Sequence, residues 1–249
     1  MTNSSLFDKL LQLRIPAFRA GLQEQQSNPQ YAELSFEERL SLLVDLECTR
    51  RSDNRLHRLL KLAEFPLQAA IEDLDFTPGR GLDRNLILEL AQGNWIHNHL
   101  NLLIIGPTGC GKTYLASAFG STACRSSFNV RYLHTSRLLY ELSQSRLDGS
   151  YANLLRSLTR VDVLIFDDWM RDPISVAGAQ DLLEIFDDRF NRSSTIITSQ
   201  VPVTEWHARF PDPTLADAIL DRLLHNSYRL SFQGESQRKL RAIRAMPIT

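Results

Sequence analysis

The residues with the plainest chemical meaning are Gly106-Pro107-Thr108-Gly109-Cys110-Gly111-Lys112-Thr113. Their spacing, G-x-x-x-x-G-K-T between an apolar run and a helical pattern, is that of a phosphate-binding loop. Glycines let successive backbone N–H groups curl around an anion, and the helix behind adds its positive dipole end. Lys112 is then placed to reach the β and γ phosphates of a nucleoside triphosphate, and Thr113 to offer its hydroxyl to Mg²⁺. Cys110, at a variable position of the loop, serves as small filler. A second cluster, Asp167-Asp168, ends the apolar run VDVLIF. A strand closing on an acid predicts that Asp167 holds Mg²⁺ and that Asp168 orients the attacking water. The expected chemistry is hydrolysis of ATP.

Three further groups belong with these. The run TIIT leads into Thr198, Ser199 and Gln200, where a polar side chain would lie between the metal-binding carboxylate and the γ-phosphate, the place of a sensor in AAA+ ATPases. Ser199 and Gln200 are the preferred residues, with Thr198 left open. In PTLADAILDRLL the apolar stripe is Leu215, Ile219 and Leu223, and Arg222 lies off it. Beside Asp221 it makes either a surface ion pair of little energetic weight or an arginine finger directed at the ATP of a neighbouring subunit. The finger is the reading adopted, and it requires a homo-oligomer. Arg238, in the basic tail with Lys239, Arg241 and Arg244, is a candidate second contact to the γ-phosphate. Asp168 stands where AAA+ ATPases mostly carry glutamate. One missing methylene predicts slow hydrolysis, closer to a timer than a motor.

Elements must position these groups. Strands are expected over Asn101–Ile105, Asn129–His134, Val161–Phe166, Thr195–Thr198 and Tyr228–Phe232, alternating with helices. That alternation implies an α/β fold with a parallel five-stranded sheet flanked by helices, its chemistry at the carboxyl ends of the strands. The chain stops too soon after the last strand for the helical lid many AAA+ proteins carry. Ahead of the sheet lie helices: a short amphipathic one ending near Pro16, one over Ala17 to Gln26, and a long one opened by the capping pair Ser35 and Glu38. The long helix carries Leu40, Leu43, Val44, Leu56, Leu59, Leu60 and Ala63 as its apolar stripe. The Pro- and Gly-bearing stretch from Glu72 to Gly81 reads as a linker, giving a helical domain over 1–75 for DNA or self-association and an ATPase domain over 76–249.

A formal net charge of −1 does not announce a nucleic-acid binder, so local clusters must carry that question. Arg50, Arg51, Arg55, Arg58 and Lys61 crowd the second half of the long helix, and Arg137 and Arg146 lie in the helical excursion between the second and third strands, broken at Asp148-Gly149. These are the candidate DNA phosphate contacts. Cys48, Cys110 and Cys124 have no metal-ligand spacing and fit a reduced compartment, no apolar run reaches membrane-span length, and the N-terminus lacks a secretion signal. A cytoplasmic location is expected.

The motifs LSFEERLSLLVDLE, RGLDR, GPTGCGKT, LIFDDW, DLLEIFDDRF, TSQVPVTEWH, DPTLADAILDRLLHNSYR and GESQRK together resemble the IstB family, the AAA+ helper ATPases of insertion-sequence transposition, over nearly the whole chain. The resemblance implies largely non-sequence-specific binding of double-stranded DNA, oligomerisation with ATP, and delivery of a partner transposase to target DNA. The helicase loaders of the DnaC and DnaI type share the ATPase core and the truncated lid, and supply the alternative reading. Two positions depart from the family pattern: Met170 stands where glycine usually follows DDW, and RSSFNVRY lacks the glycine often found near Ser127.

Overall fold

The computed structural model describes residues 3–233. The chain divides into two compact units, 1–58 and 59–249, with the division inside one long helix.

In the first unit, α1 (Asn3–Gln12) stops before Arg14, whose φ of +56° turns the chain. Pro16 opens α2 (Pro16–Ser27) rather than closing α1, as suits a residue with no N–H to satisfy at a helix start. The helix α3 (Phe36–Ala63) starts at the expected capping box. The Ser35 N–H donates to Glu38 Oε2 at 2.8 Å, and the Glu38 N–H to Ser35 Oγ at 3.3 Å. Leu10 and Leu43 are buried, and Gly21 lets α3 approach α2: a Cβ there would come within 2.8 Å of Leu43 and Leu46. Of the expected stripe on α3, Leu43, Leu59 and Ala63 are buried, whereas Leu40 and Val44 are exposed. The buried position one turn after Leu43 is instead Glu47, an acid that accepts from the N–H groups of Ala17 and Phe18 at the start of α2.

The second unit begins earlier than the expected linker. Ala63 and Ile71 are buried, Phe65 packs over Gly120, and the Tyr114 hydroxyl lies 3.4 Å from the Ala70 carbonyl. Residues after Arg58 thus pack with the second unit. There follow α4 (Arg84–Ala91), capped by the Asp83 carboxylate, and α5 (Asn94–His97). The sheet strands are β1 (Asn101–Ile105), β2 (Val130–His134), β3 (Val163–Asp167), β4 (Ser194–Ser199) and β5 (Ser227–Ser231), each within two residues of the expected ends. Their order is β2-β3-β4-β1-β5, and all four pairings are parallel. β3 and β4 are buried along their whole length, as apolar runs covered on both faces must be. The helices α6 (Lys112–Arg125), α7 (Thr135–Asp148), α8 (Tyr151–Thr159), α9 (Val176–Arg189) and α10 (Pro213–Leu224) connect the strands. Gly149, at φ +78°, makes the expected break between α7 and α8.

Candidate functional site

The parallel order sets β1 between β4 and β5, so the loop after Ile105 leaves an interior strand at the sheet's carboxyl edge. Gly109 and Gly111 hold φ of +80° and +109°, a region side chains resist, and Lys112 opens α6 directly behind them. The Lys112 ammonium folds into the loop and donates to the Pro107 carbonyl at 2.9 Å. Cys110 is buried filler, as its position implied, and burial pushes its thiol pKa up, so it remains a neutral thiol. Its carbonyl accepts from Arg80 Nη2 at 2.8 Å, and the same guanidinium donates to the Asp75 carbonyl at 2.5 Å and lies 5.6 Å from the centre of the Phe232 ring. The segment 66–80 therefore forms one wall of a cleft of about 750 Å³ whose floor is the loop and Asp167.

Asp167 is buried at the end of β3 and is gripped by hydroxyls. Thr113 Oγ1 donates to its two oxygens at 3.2 and 3.0 Å, and Tyr132 and Thr198 donate over still shorter distances. Burial, followed by the hydrogen bond to Asp167, pushes the Tyr132 phenol well above its ordinary range, so it keeps the proton that it donates to Asp167. Asp168 is half-buried, with its N–H on Thr198 Oγ1 at 3.2 Å. Its carboxylate faces Arg171 Nη1 at 2.8 Å and His134 Nδ1 at 3.9 Å. Ligand atoms of His134, Asp167 and Asp168 lie within 4.8 Å of one another. The Thr113 hydroxyl and the two carboxylates form the hard oxygen donor set that suits Mg²⁺ beside a phosphate chain.

The three sensor candidates separate. Thr198, left open from the sequence, is buried and touches both Asp167 and the Asp168 backbone. Gln200 lines the cleft, its Oε1 accepting from the loop's Thr108 at 2.6 Å. Ser199 requires correction: its hydroxyl donates to the Trp169 carbonyl at 2.7 Å and accepts from the Val201 N–H at 3.0 Å, turned away from the cleft. Successive strand residues alternate faces, so Thr198 and Ser199 cannot both point at Asp167. Trp169 is fully buried among Phe166, Phe186, Trp206 and Phe210, and this aromatic packing anchors the turn that carries Asp168.

Arg222 lies at the opposite edge of the sheet. Its carbonyl accepts from Asn101 Nδ2, at the amino end of β1, at 3.3 Å. Its guanidinium closes on Asp187 and donates to the Ala218 carbonyl at 2.6 Å; the neighbour Asp221 is not its partner. Arg50 and Arg51 both pair with Glu47, at 3.0 and 2.9 Å. Arg50 first, then Arg51 and the N–H groups of Phe18 and Ala17, hold the Glu47 carboxyl at about 2 against the cost of its burial. Arg55, Arg58 and Lys61 are exposed along α3. Arg137 pairs with Glu141 at 3.0 Å on an exposed face. Arg146 closes on the buried Asp181 and stacks 3.9 Å from the centre of the Tyr151 ring, tying α7 to α9 while its own side chain stays half exposed. Arg238 lies outside the described residues.

Arg80, Tyr132, His134 and Arg171 were missed by the sequence reading. Tyr132 and His134 sit at the carboxyl end of β2, where His134 pairs in register with Asp167. The rule that parallel sheets gather chemistry at that edge points to them once β2 is known to flank β3.

A model of the family described as IstB-like ATP binding protein matches residues 8–245. The insertion sequence ATP-binding protein y4pL of Sinorhizobium fredii is 45% identical over 232 residues, covering 93% of this chain and 95% of its own length. The IS1162 ATP-binding protein of Pseudomonas fluorescens is also 45% identical over 219 residues, covering 86% and 94%. Among solved structures, the DnaC helicase loader matches with a TM-score of 0.54 at 19% identity, covering 66% of this chain and 97% of its own. DnaA bound to AMPPCP and single-stranded DNA matches with a TM-score of 0.58 at 16% identity, covering 75% and 58%. These likenesses show the AAA+ fold.

Proposed function

We propose that this chain, which belongs to the IstB-like ATP-binding protein family, is a transposition helper that hydrolyses ATP slowly and assembles on double-stranded DNA according to its nucleotide state. The observation that carries the reading is the separation of Arg222 from the loop of its own chain. Arg222 is tied to Asn101, and the loop begins past Ile105, roughly 13 Å farther along β1. A guanidinium so placed could serve as a finger only toward a neighbouring subunit's nucleotide, and only on leaving Asp187. ATP would then join two copies, and assembly would follow nucleotide state by linkage.

Within the site, Lys112 leaves the Pro107 carbonyl for the phosphates, and the loop N–H groups hold the same oxygens. Thr113 and Asp167 would hold Mg²⁺, which would supply positive charge against the phosphates. Thr198 and Tyr132 keep the Asp167 carboxylate in one orientation. Asp168 accepts a hydrogen bond from the attacking water, and Gln200, beside Thr108, reports on the γ-phosphate. An Asp168→Asn variant should bind ATP with unchanged affinity and turn it over at least tenfold more slowly; wild-type turnover would sink the assignment.

The exposed bases of α3 would meet DNA phosphates without base readout, and a partner transposase would be recruited to the assembly. The insertion-sequence relatives, matched at 45% identity over most of the chain, support this output over helicase loading, with which the chain shares fold alone. Stimulation of an insertion-sequence transposase by the purified protein tests it; co-purification with a replicative helicase and no effect on transposition would favour the loader.

A further inference from the structure

Arg171 belongs to none of the functional motifs, yet it is built against the carboxylate at the centre of the proposed reaction. The Arg171 N–H donates to the Asp168 carbonyl at 3.2 Å, closing a turn that carries the side chain back over Asp168. Nη1 then meets Asp168 Oδ2 at 2.8 Å. The guanidinium is held there from two other directions: Nη2 and Nε donate to Asp172 Oδ2 at 3.0 and 3.3 Å, and Nη2 reaches Ser136 Oγ in the first turn of α7 at 3.4 Å. Arg171 lines the nucleotide cleft itself. Two residues of its turn, Asp168 and Met170, take left-handed φ of +56° and +60°, a conformation that residues with side chains hold only when their surroundings enforce it. His134 Nδ1, 3.9 Å away, also faces the Asp168 carboxylate, at a distance too long for a hydrogen bond.

A carboxylate that orients water must present a lone pair to it, and Asp168 has one oxygen engaged by a guanidinium. We propose that Arg171 is a positioning residue that holds Asp168 in a resting pose and so limits the rate of hydrolysis. The inference rests on Asp168 as the water-orienting group. In the step concerned, the water oxygen bonds to the γ-phosphorus as the bond to the ADP oxygen breaks. The proton passes to Asp168 and then to solvent, so no further reactant is needed. The ion pair opens first, with Arg171 turning to Asp172 alone, and that opening sets the rate.

The test uses the full chain with Mg²⁺ and ATP, measuring kcat, and separately the affinity for a fluorescent ATP analogue. Arg171→Ala should raise kcat about two- to fivefold, the range that a partly exposed ion pair can hold back, and leave nucleotide affinity unchanged. Arg171→Lys keeps a cation on Asp168 and should stay near the wild-type rate. In an Asp168→Asn background, Arg171→Ala should give no gain, because Arg171 acts only through that carboxylate. Arg171→Gln carries the same expectation should the alanine variant not fold. An unchanged or lower kcat in Arg171→Ala, or weakened nucleotide binding, overturns the proposal while Asp168→Asn remains slow. If Asp168→Asn turns over at the wild-type rate, the role of Asp168 fails together with it.

Discussion

At the residue scale, the site is organised by how fully Asp167 is satisfied. Hydroxyls from α6, β2 and β4 converge on one buried carboxylate, so its two oxygens cannot rotate freely. Tyr132→Phe removes one donor without removing the ring. A charge-assisted hydrogen bond of this kind predicts a fall in kcat of about tenfold with little change in ATP affinity, measurable by steady-state kinetics and nucleotide titration. The two departures from the family's glycine pattern also acquire a physical meaning. Ser127 and Met170 both sit at positive φ, +70° and +60°. Ser127 follows the end of α6, where its N–H donates to the Cys124 carbonyl and the next N–H to that of Ala123, the closing bonds of a left-handed helix end. Ser127→Gly should therefore raise the midpoint of chemical unfolding by the equivalent of about 0.5–1 kcal/mol. Met170→Gly should not, because the same change empties a buried side-chain position. The phosphate loop was legible because each of its requirements is met by adjacent residues. Tyr132 and Arg171 were not, since their partners are set by strand order and by a turn geometry that no local spacing encodes.

At the scale of elements, apolar runs gave the strands to within two residues because a sheet covered on both faces leaves no choice of period. The long helix was harder. Its leucines continue around the surface, and the residue that fixes α3 to the start of α2 is an acid, Glu47, which an apolar stripe cannot reveal. Glu47 has a folded value near 2 against an ordinary 4.5, so its stabilising effect is complete above about pH 4.5 and is lost as pH falls toward 2. Glu47→Gln should lower stability at neutral pH and flatten the acid side of the stability profile in that window, read by denaturant unfolding across pH. In the second unit, α6 lies close to β3 at Gly120, where an added Cβ would sit 2.5 Å from Phe65 and 2.9 Å from Ile165. Gly120→Ala should therefore destabilise by about 1–3 kcal/mol through overpacking, and a thermal melt checks it. Phe65 lies in the stretch taken from sequence as part of the helical domain. Its packing on Gly120 groups it with the second unit, a contact that no local spacing announces.

At the scale of the molecule, charge and nucleotide have to act together, since a net charge of −1 gives no general attraction to DNA. Arg50 and Arg51 pair with Glu47, Arg137 with Glu141 and Arg146 with Asp181, so four of the seven bases that the sequence offered as phosphate contacts share their charge with an acid of their own chain. A few weak contacts per subunit then require many subunits for tight binding. The most direct measurement is sedimentation of the full chain with linear duplex DNA in ATP, in ADP and without nucleotide, repeated with Lys112→Ala and Arg222→Ala. Large DNA-bound assemblies should form with ATP alone and be lost in both variants, with Arg222→Ala still binding ATP. Assembly independent of nucleotide, or an Arg222→Ala protein that assembles and hydrolyses as the wild type does, would contradict the shared site.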